Sequence, residues 1–351
     1  MHVTKETRNI SFQATDEMPF VEKLLKYKSV SFVGMEKNAG KTQTLNYVLG
    51  RLRSFSDTKI AISSIGIDGE QIDQVTQTSK PEIHIYKGTK FVTAQALYLQ
   101  REIISCIEDV SLRTTALGRL ITAEAISDGK VLLAGPSDTK QLKEFIDSLS
   151  QKVNLCLIDG ALSRMSFGSP CITDAMVLST GAAVSASLQT MVDKTLFTYE
   201  LIRLPKYAGS GAEDLKQKDS GVYAVADGEI IPLEIPSLLM IEKYKDVIFS
   251  HGKTIYISGV LNEKFMRFVC SQKEQDKTEI ILKDFTKNFA SPESIRQFLR
   301  KGGRLSVLYP ANLIAITANP ISPTGYNFDN KQMLDALRQA IPADIYNIKT
   351  L

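Results

Sequence analysis

The chain has no tryptophan, three histidines and four cysteines in 351 residues. The missing tryptophan excludes nothing. Three scattered histidines leave no Ser–His–Asp grouping to argue for. Cys106, Cys156, Cys171 and Cys270 lie far apart with no C-x-x-C pair, which speaks against a disulfide framework and against a zinc knuckle. Cys156 falls inside an apolar run and reads as a core residue. No run approaches the roughly 18 apolar residues that a membrane span needs. Met1 to Arg8 hold no apolar secretory core, so a cytoplasmic location is expected. Charge of one sign is scarce: 42 basic residues face 39 acidic ones, a formal net charge of +3. Neither nucleic acid nor an anionic membrane is expected as a partner on electrostatic grounds. Repeats, low-complexity tracts and heptad runs are missing too. What remains is ordinary for a soluble globular protein. A hydrophobic share of 43% supplies a sizeable core, and the length allows one large or two modest domains.

One stretch organises the rest, Ser29-Val30-Ser31-Phe32-Val33-Gly34 followed by Met35-Glu36-Lys37-Asn38-Ala39-Gly40-Lys41-Thr42-Gln43-Thr44. A short apolar run leads into a loop pinned by two glycines. Behind it, Leu45, Val48, Leu49 and Leu52 recur at helical spacing. Strand, glycine loop and helix in that order are the context of a phosphate-binding loop. Gly40 lets the main chain approach an anion closely. The N–H groups that open the helix point at it, and the helix dipole favours negative charge there. Lys41 is expected to reach β- and γ-phosphates, and the Thr42 hydroxyl to ligate Mg²⁺. Gly34, Glu36, Lys37, Asn38, Ala39, Gly40, Lys41, Thr42 and Gln43 are the expected binding residues. Lys37 offers a second positive charge inside the loop, but it stands four residues before Lys41 rather than five, so no trans-acting signature lysine is read there.

Further on, Thr58 to Glu70 is rich in β-formers and ends in Asp68-Gly69. In a doubly wound sheet ligands sit at the carboxyl ends of strands, which makes Asp68 a candidate catalytic or water-mediated metal group, with Glu70 beside it; a turn aspartate is the competing reading. Ile83 to Val92 alternates like a hairpin around Lys87-Gly88, and Arg119 to Gly135 reads as strands flanking the Asp128-Gly129 turn. His84, alone on an alternating strand, reads as structural. Asp138 to Leu149 carries Leu142, Phe145, Ile146 and Leu149 on one helical face. Val153 to Gly160 is a near-continuous apolar run ending in Asp159-Gly160, which reads as a buried parallel strand with an acid at its tip. Asp159 is therefore expected to hold Mg²⁺ opposite Thr42, with a catalytic role. Arg164 on the same rim contacts a phosphate or a partner in one reading and is an exposed loop arginine in the other. Asp174 to Gly181 is the next strand and about Ala182 to Leu204 a long helix.

Composition shifts over Pro205 to Val222. The expected division is a lead-in over 1–27, with a short helix around Phe20, Leu24 and Leu25, a nucleotide-binding domain over 28–205, and a C-terminal α/β region over 206–351 that either stands alone or extends the first sheet. In that region Lys253–Leu261, Thr278–Lys283 and Leu305–Tyr309 read as strands. Ser291-Pro292 opens a capped helix, and Lys331–Ala340 is the last helix. Asn319, at the end of the apolar run Leu313–Ala318, is the candidate reader of a base edge, because an amide both donates and accepts; Asn-Pro as a plain turn start is the simpler alternative.

The loop spacing departs from G-x-x-x-x-G-K-[ST] by one residue, since Gly34 stands where that pattern puts its glycine at Met35. The longer form G-x-x-x-x-x-G-K-T resembles the loop of dethiobiotin synthetase and the cobyrinic acid amidation enzymes, in a P-loop class that includes dimeric metallochaperones and ATPases. Val33–Thr42, Ser64–Glu70, Leu157–Arg164 and Asn319–Tyr326 together resemble the small P-loop subunit of the lysine 5,6-aminomutase reactivases of lysine or ornithine fermentation. That resemblance implies an ATP-driven, chaperone-like helper, paired with a MutS-like ATPase, that releases damaged cobalamin from an adenosylcobalamin-dependent aminomutase. No Asp-x-His-x-x-Gly cobalamin ligand motif is present. The expected fold is thus a P-loop NTPase with a mostly parallel sheet and helices on both faces. The expected cofactors are ATP, with GTP as the alternative, and Mg²⁺. A homodimer is one expected state. The competing functions are a synthetase of the dethiobiotin type, which activates a carboxylate or carbamate by phosphorylation, and a nucleotide-dependent switch with little turnover.

Overall fold

The structure is a computed structural model that describes residues 20–55, 57–66, 82–136, 138–161 and 169–347. After a short helix α1 (Val21–Leu24), the chain enters β1 (Ser29–Gly34), α2 (Lys41–Leu52) and β2 (Ile60–Ser64). β3 (Ile83–Ile85), β4 (Lys90–Ala94), a single turn α3 (Gln95–Tyr98), β5 (Ser105–Thr115), β6 (Gly118–Ala125) and β7 (Gly129–Val131) follow. Then come α4 (Thr139–Ser150), β8 (Leu155–Ala161), β9 (Ala175–Gly181) and α5 (Leu188–Ile202). Two strands reached only near the end of the chain, β17 (Leu313–Asn319) and β18 (Ile345–Asn347), flank a helix α9 (Asn330–Ala340) and complete the same sheet.

Among the described residues this sheet has nine strands in the order β18-β17-β9-β1-β8-β2-β4-β6-β5. From β18 to β4 every neighbouring pair is parallel; β6 and β5 close the far edge as an antiparallel hairpin. The fold is therefore α/β with a large, mostly parallel sheet. Period-2 alternation sorts the core. Val30 and Phe32 of β1 and Leu155 and Leu157 of β8 pack on α2 through Leu45, Val48, Leu49 and Leu52. Cys156 and Ile158 face the other way, onto Leu142, Ile146 and Leu149 of α4. Val33, Met176, Leu178 and Ile316 meet α5 and α9 on that second face. Helices thus cover both faces, as a sheet of near-continuous apolar strands requires.

Residues 206–309 build a second sheet. It comprises α6 (Ala212–Lys216), β10 (Val222–Ala226), β11 (Glu229–Pro232), β12 (Thr254–Ile257), the short β13 (Leu261–Asn262), α7 (Glu263–Ser271), β14 (Glu279–Leu282), the short β15 (Asn288–Phe289), α8 (Pro292–Arg300) and β16 (Arg304–Val307). Its order is β11-β10-β12-β14-β16, with β12, β14 and β16 parallel. Ile255, Ile257, Ile280 and Leu282 of this sheet join the same apolar cluster as α5 and α9. The stretch 206–351 is therefore divided between two sheets. Its middle forms the second one, and its end returns to the first.

The hairpin expected around Lys87-Gly88 is not formed. β3 pairs antiparallel with β7, while β4 lies parallel to β2 and antiparallel to β6. The two turn sequences meet each other instead, Lys87 donating its backbone N–H to Asp128 Oδ1 at 2.9 Å. Each turn pair bends the chain without choosing the strand that comes next to it. Ile83 and Ile85 bury on α2, and Asn46 there bonds both Glu82 O and the His84 N–H. The run Phe91–Ala94 is fully buried and needs a strand on either side. His84 itself points out of β3 at an exposed position.

Candidate functional site

β1 and β9 are neighbours, and the strands of this sheet that next follow them along the chain lie to opposite sides, β2 after β1 and, once the second sheet has been built, β17 after β9. The crevice outside the carboxyl ends of such a pair is where open α/β sheets take ligands. The loop Gly34–Gly40 lies at this point. Gly34 ends β1 level with Ser179 of β9 and Ala161 of β8, and the Met35 N–H donates to Ser179 O at 2.9 Å. Asn38 turns the loop with φ +63° and Gly40 with φ +96°, a conformation that favours glycine at the second position. Gly40 then caps α2, with no side-chain cap among the described residues. A helix of twelve residues thus begins with donors directed at the crevice.

The loop is braced from β17. Asn319 Nδ2 donates to Asn38 O at 3.2 Å, and its Oδ1 accepts from the Ile321 N–H at 3.2 Å. A Cβ on Gly40 would come within 2.9 Å of Asn319 Cβ, and one on Gly181 within 1.9 Å of Asn319 O. The seam between Ala39–Thr44 and Thr317–Asn319 is closely packed. Both ends of the Asn319 amide are thus engaged by main chain, and a base edge would have to displace them. Below the loop three buried hydroxyls form a triangle. Thr44 Oγ1 lies 2.8 Å from Thr317 Oγ1 and 3.4 Å from Ser179 Oγ, and Ser179 Oγ lies 2.8 Å from Thr317 Oγ1. Thr44 also donates to Gly40 O at 3.1 Å, tying the triangle to the loop. Sequence reasoning missed this network. Its signal was there: Ser179 and Thr317 are hydroxyls inside otherwise apolar strands, and a buried hydroxyl demands a partner.

Lys41 and Asp159 come together across the loop. Lys41 Nζ lies 2.7 Å from Asp159 Oδ1, with the side chains 19% and 5% exposed. β8 places Asp159 beside Phe32 of β1 and Ser64 of β2. Ser64 Oγ and the Ile65 N–H approach Asp159 O, so the carbonyl is held as β2 ends. A carboxylate this buried is paired or it is expensive, and Lys41 pairs it. Thr42 and Gln43 are half-buried at the start of α2, while Glu36 and Lys37 are exposed on the loop. The Asn38 side-chain amide nitrogen is buried and has no acceptor among the described residues. An orphaned donor of this kind costs about 1–3 kcal/mol. An anionic oxygen entering the loop would satisfy it.

These residues suit a bound anion and a magnesium ion shared with it. No group of three or more His, Cys, Asp or Glu among the described residues could hold a metal by itself. Magnesium is commonly held by one or two protein oxygens and completed by phosphate and water. Thr42 and Asp159 are the side chains that would contribute. Of the other expected residues, Asp68, Glu70 and Arg164 lie outside the described residues. Protein-family models, curated proteins and solved structures gave no match to this chain.

Proposed function

We propose that this chain binds a nucleoside triphosphate with Mg²⁺ on the loop Gly34–Gln43 and hydrolyses it, with ATP as the nucleotide and GTP as the alternative. One observation carries the reading. The Lys41 ammonium and the buried Asp159 carboxylate meet at 2.7 Å, at the point where a glycine loop opens an uncapped helix. In this reading the N–H groups at the start of α2 and the Asn38 amide bind phosphate oxygens. Lys41 turns from Asp159 to the β- and γ-phosphates, trading one anion for another. Asp159, released from Lys41, and the Thr42 hydroxyl would hold the metal, which would supply charge neutralisation at the transferring phosphoryl group. The chain itself supplies position: the hydroxyl triangle and Asn319 fix the loop, so its donors need little rearrangement when charge develops.

Steady-state release of phosphate from Mg·ATP tests this. Release that requires magnesium and falls about a hundredfold or more in Lys41→Met supports the proposal; release indifferent to Lys41 contradicts it. As to biological role, we propose an energy-coupled helper that reactivates an adenosylcobalamin-dependent aminomutase together with a MutS-like ATPase, on the strength of the sequence resemblance. Affinity capture from cells that ferment lysine decides it. Recovery of either protein supports the role, and recovery of neither removes it.

A further inference from the structure

A second cleft lies at the other end of β17 from the loop. It has a volume of about 630 Å³, within the range of small-molecule sites. Its walls come from α1 and the turn after it, the end of α5, the first residues of β17, and the segment from the end of α9 into β18. Leu313 in its wall and Asn319 are the two ends of the seven-residue β17, roughly 20 Å apart along the extended chain. Lys23, Lys26, Arg203 and Arg338 line it against the single carboxylate of Asp344. That surplus of three positive charges equals the formal surplus of the entire chain.

Two of the four cations are committed. Lys23 pairs with Asp344, and the hydrogen bond raises the lysine pKa above its usual 10.5. Arg338 donates from Nε and Nη2 to Ile345 O, closing the end of α9. Lys26 and Arg203 have no ion pair among the described residues. Arg203 caps α5, and a cation at a helix carboxyl end has a local reason to be there. Lys26 reaches the same cleft from another part of the chain, just past the single-turn α1. Tyr27 and Tyr199 complete the wall, the Tyr199 hydroxyl donating to Pro342 O at 3.2 Å. Arginine forks and lysine point charges converging on one cavity are what phosphate recognition uses.

We propose that this cleft binds a phosphorylated small molecule, held chiefly by Lys26 and Arg203. The proposal stands apart from the reading of the Gly34–Gln43 loop. Titration calorimetry with inorganic pyrophosphate tests it in the full chain carrying Lys41→Met and Asp159→Asn, which takes the lysine charge away from the loop, and any site left on the loop must be unaffected by changes at Lys26 and Arg203. Pyrophosphate is expected to bind this protein with an affinity that falls as salt rises. Adding Lys26→Ala and Arg203→Ala is expected to weaken binding about tenfold or more, with an unchanged melting temperature. Absence of pyrophosphate binding, or the same affinity after Lys26 and Arg203 are replaced, overturns the proposal. Citrate binding as tightly as pyrophosphate overturns the assignment to phosphate. Should the Lys41→Met, Asp159→Asn protein not fold, the comparison is made in the otherwise native chain, where Lys26→Ala with Arg203→Ala must weaken one pyrophosphate site about tenfold or more whether or not a second site is seen, and an unchanged titration overturns the proposal.

Discussion

Among single residues, the centre of the candidate site is the ion pair of Lys41 and Asp159. Lys41 and Asp159 neutralise each other in a place where neither charge could stay buried alone. Removing only one of them leaves the other uncompensated. Lys41→Met is therefore expected to lower stability to urea by about 2–3 kcal/mol, discounted because the lysine keeps some contact with solvent. Adding Asp159→Asn is expected to restore most of it, a coupling that a double-mutant cycle reads directly. Stability that falls further in the double variant would contradict the pairing. Lys41 and Asp159 were both legible from local order alone, because a lysine after a glycine loop and an acid ending an apolar strand each carry their context with them. Asn319 was legible as a rim residue but not as a brace, since nothing near it in the chain announces Asn38 or Gly40. The hydroxyls of Thr44, Ser179 and Thr317 come from three separate segments, and only the sheet order brings them together.

Among the elements, backbone conformation limits what the loop and the caps tolerate. Gly40→Ala sets a Cβ against Asn319 at 2.9 Å in a residue with φ +96°. It is expected to cost about 1–3 kcal/mol and to loosen the loop, read as faster amide exchange over Met35–Thr44. Exchange unchanged from the native protein would show that the seam yields freely. In the second sheet, Glu263 of α7 accepts from the Ser291 N–H and from Ser294 Oγ, both at 2.7 Å, and from Arg267 Nε at 2.9 Å. Burial pushes its carboxyl up, yet these bonds outweigh burial and hold the pKa down to about 2, below the usual 4.5. The folded value is depressed, so the stabilisation is present above about pH 4.5 and is lost as pH falls through about 2. Glu263→Gln is expected to destabilise at pH 7 by about 1–2 kcal/mol, the gap closing across that window. A gap that stays constant down to pH 2 would contradict it. The α8 cap was readable from Ser291-Pro292, and α4 from its apolar stripe. The pairing of β3 with β7 was not, because alternation gives a strand its faces without naming its neighbour.

For the whole molecule, the return of the chain matters most. β17 lies between β9 and β18, and its Ile316 and Ala318 sit in the apolar cluster that α5, α9 and the second sheet share. The composition shift near Pro205 marks where the second sheet begins, but composition could not show that the last strands go back to the first. A chain ending at residue 205 would lose β17, Asn319 and Thr317, and expose Met176, Leu178 and the inner face of α5. It is expected not to fold, with no cooperative melting transition; a sharp transition in that fragment would contradict the shared core. Calorimetric titration of Mg·ATP into the full chain shows whether the Gly34–Gln43 loop takes a nucleotide. One site per chain is predicted, weakened about a hundredfold or more by Lys41→Met with Asp159→Asn in a protein that still melts cooperatively. No binding to the native protein, or equal binding to that variant, would contradict it.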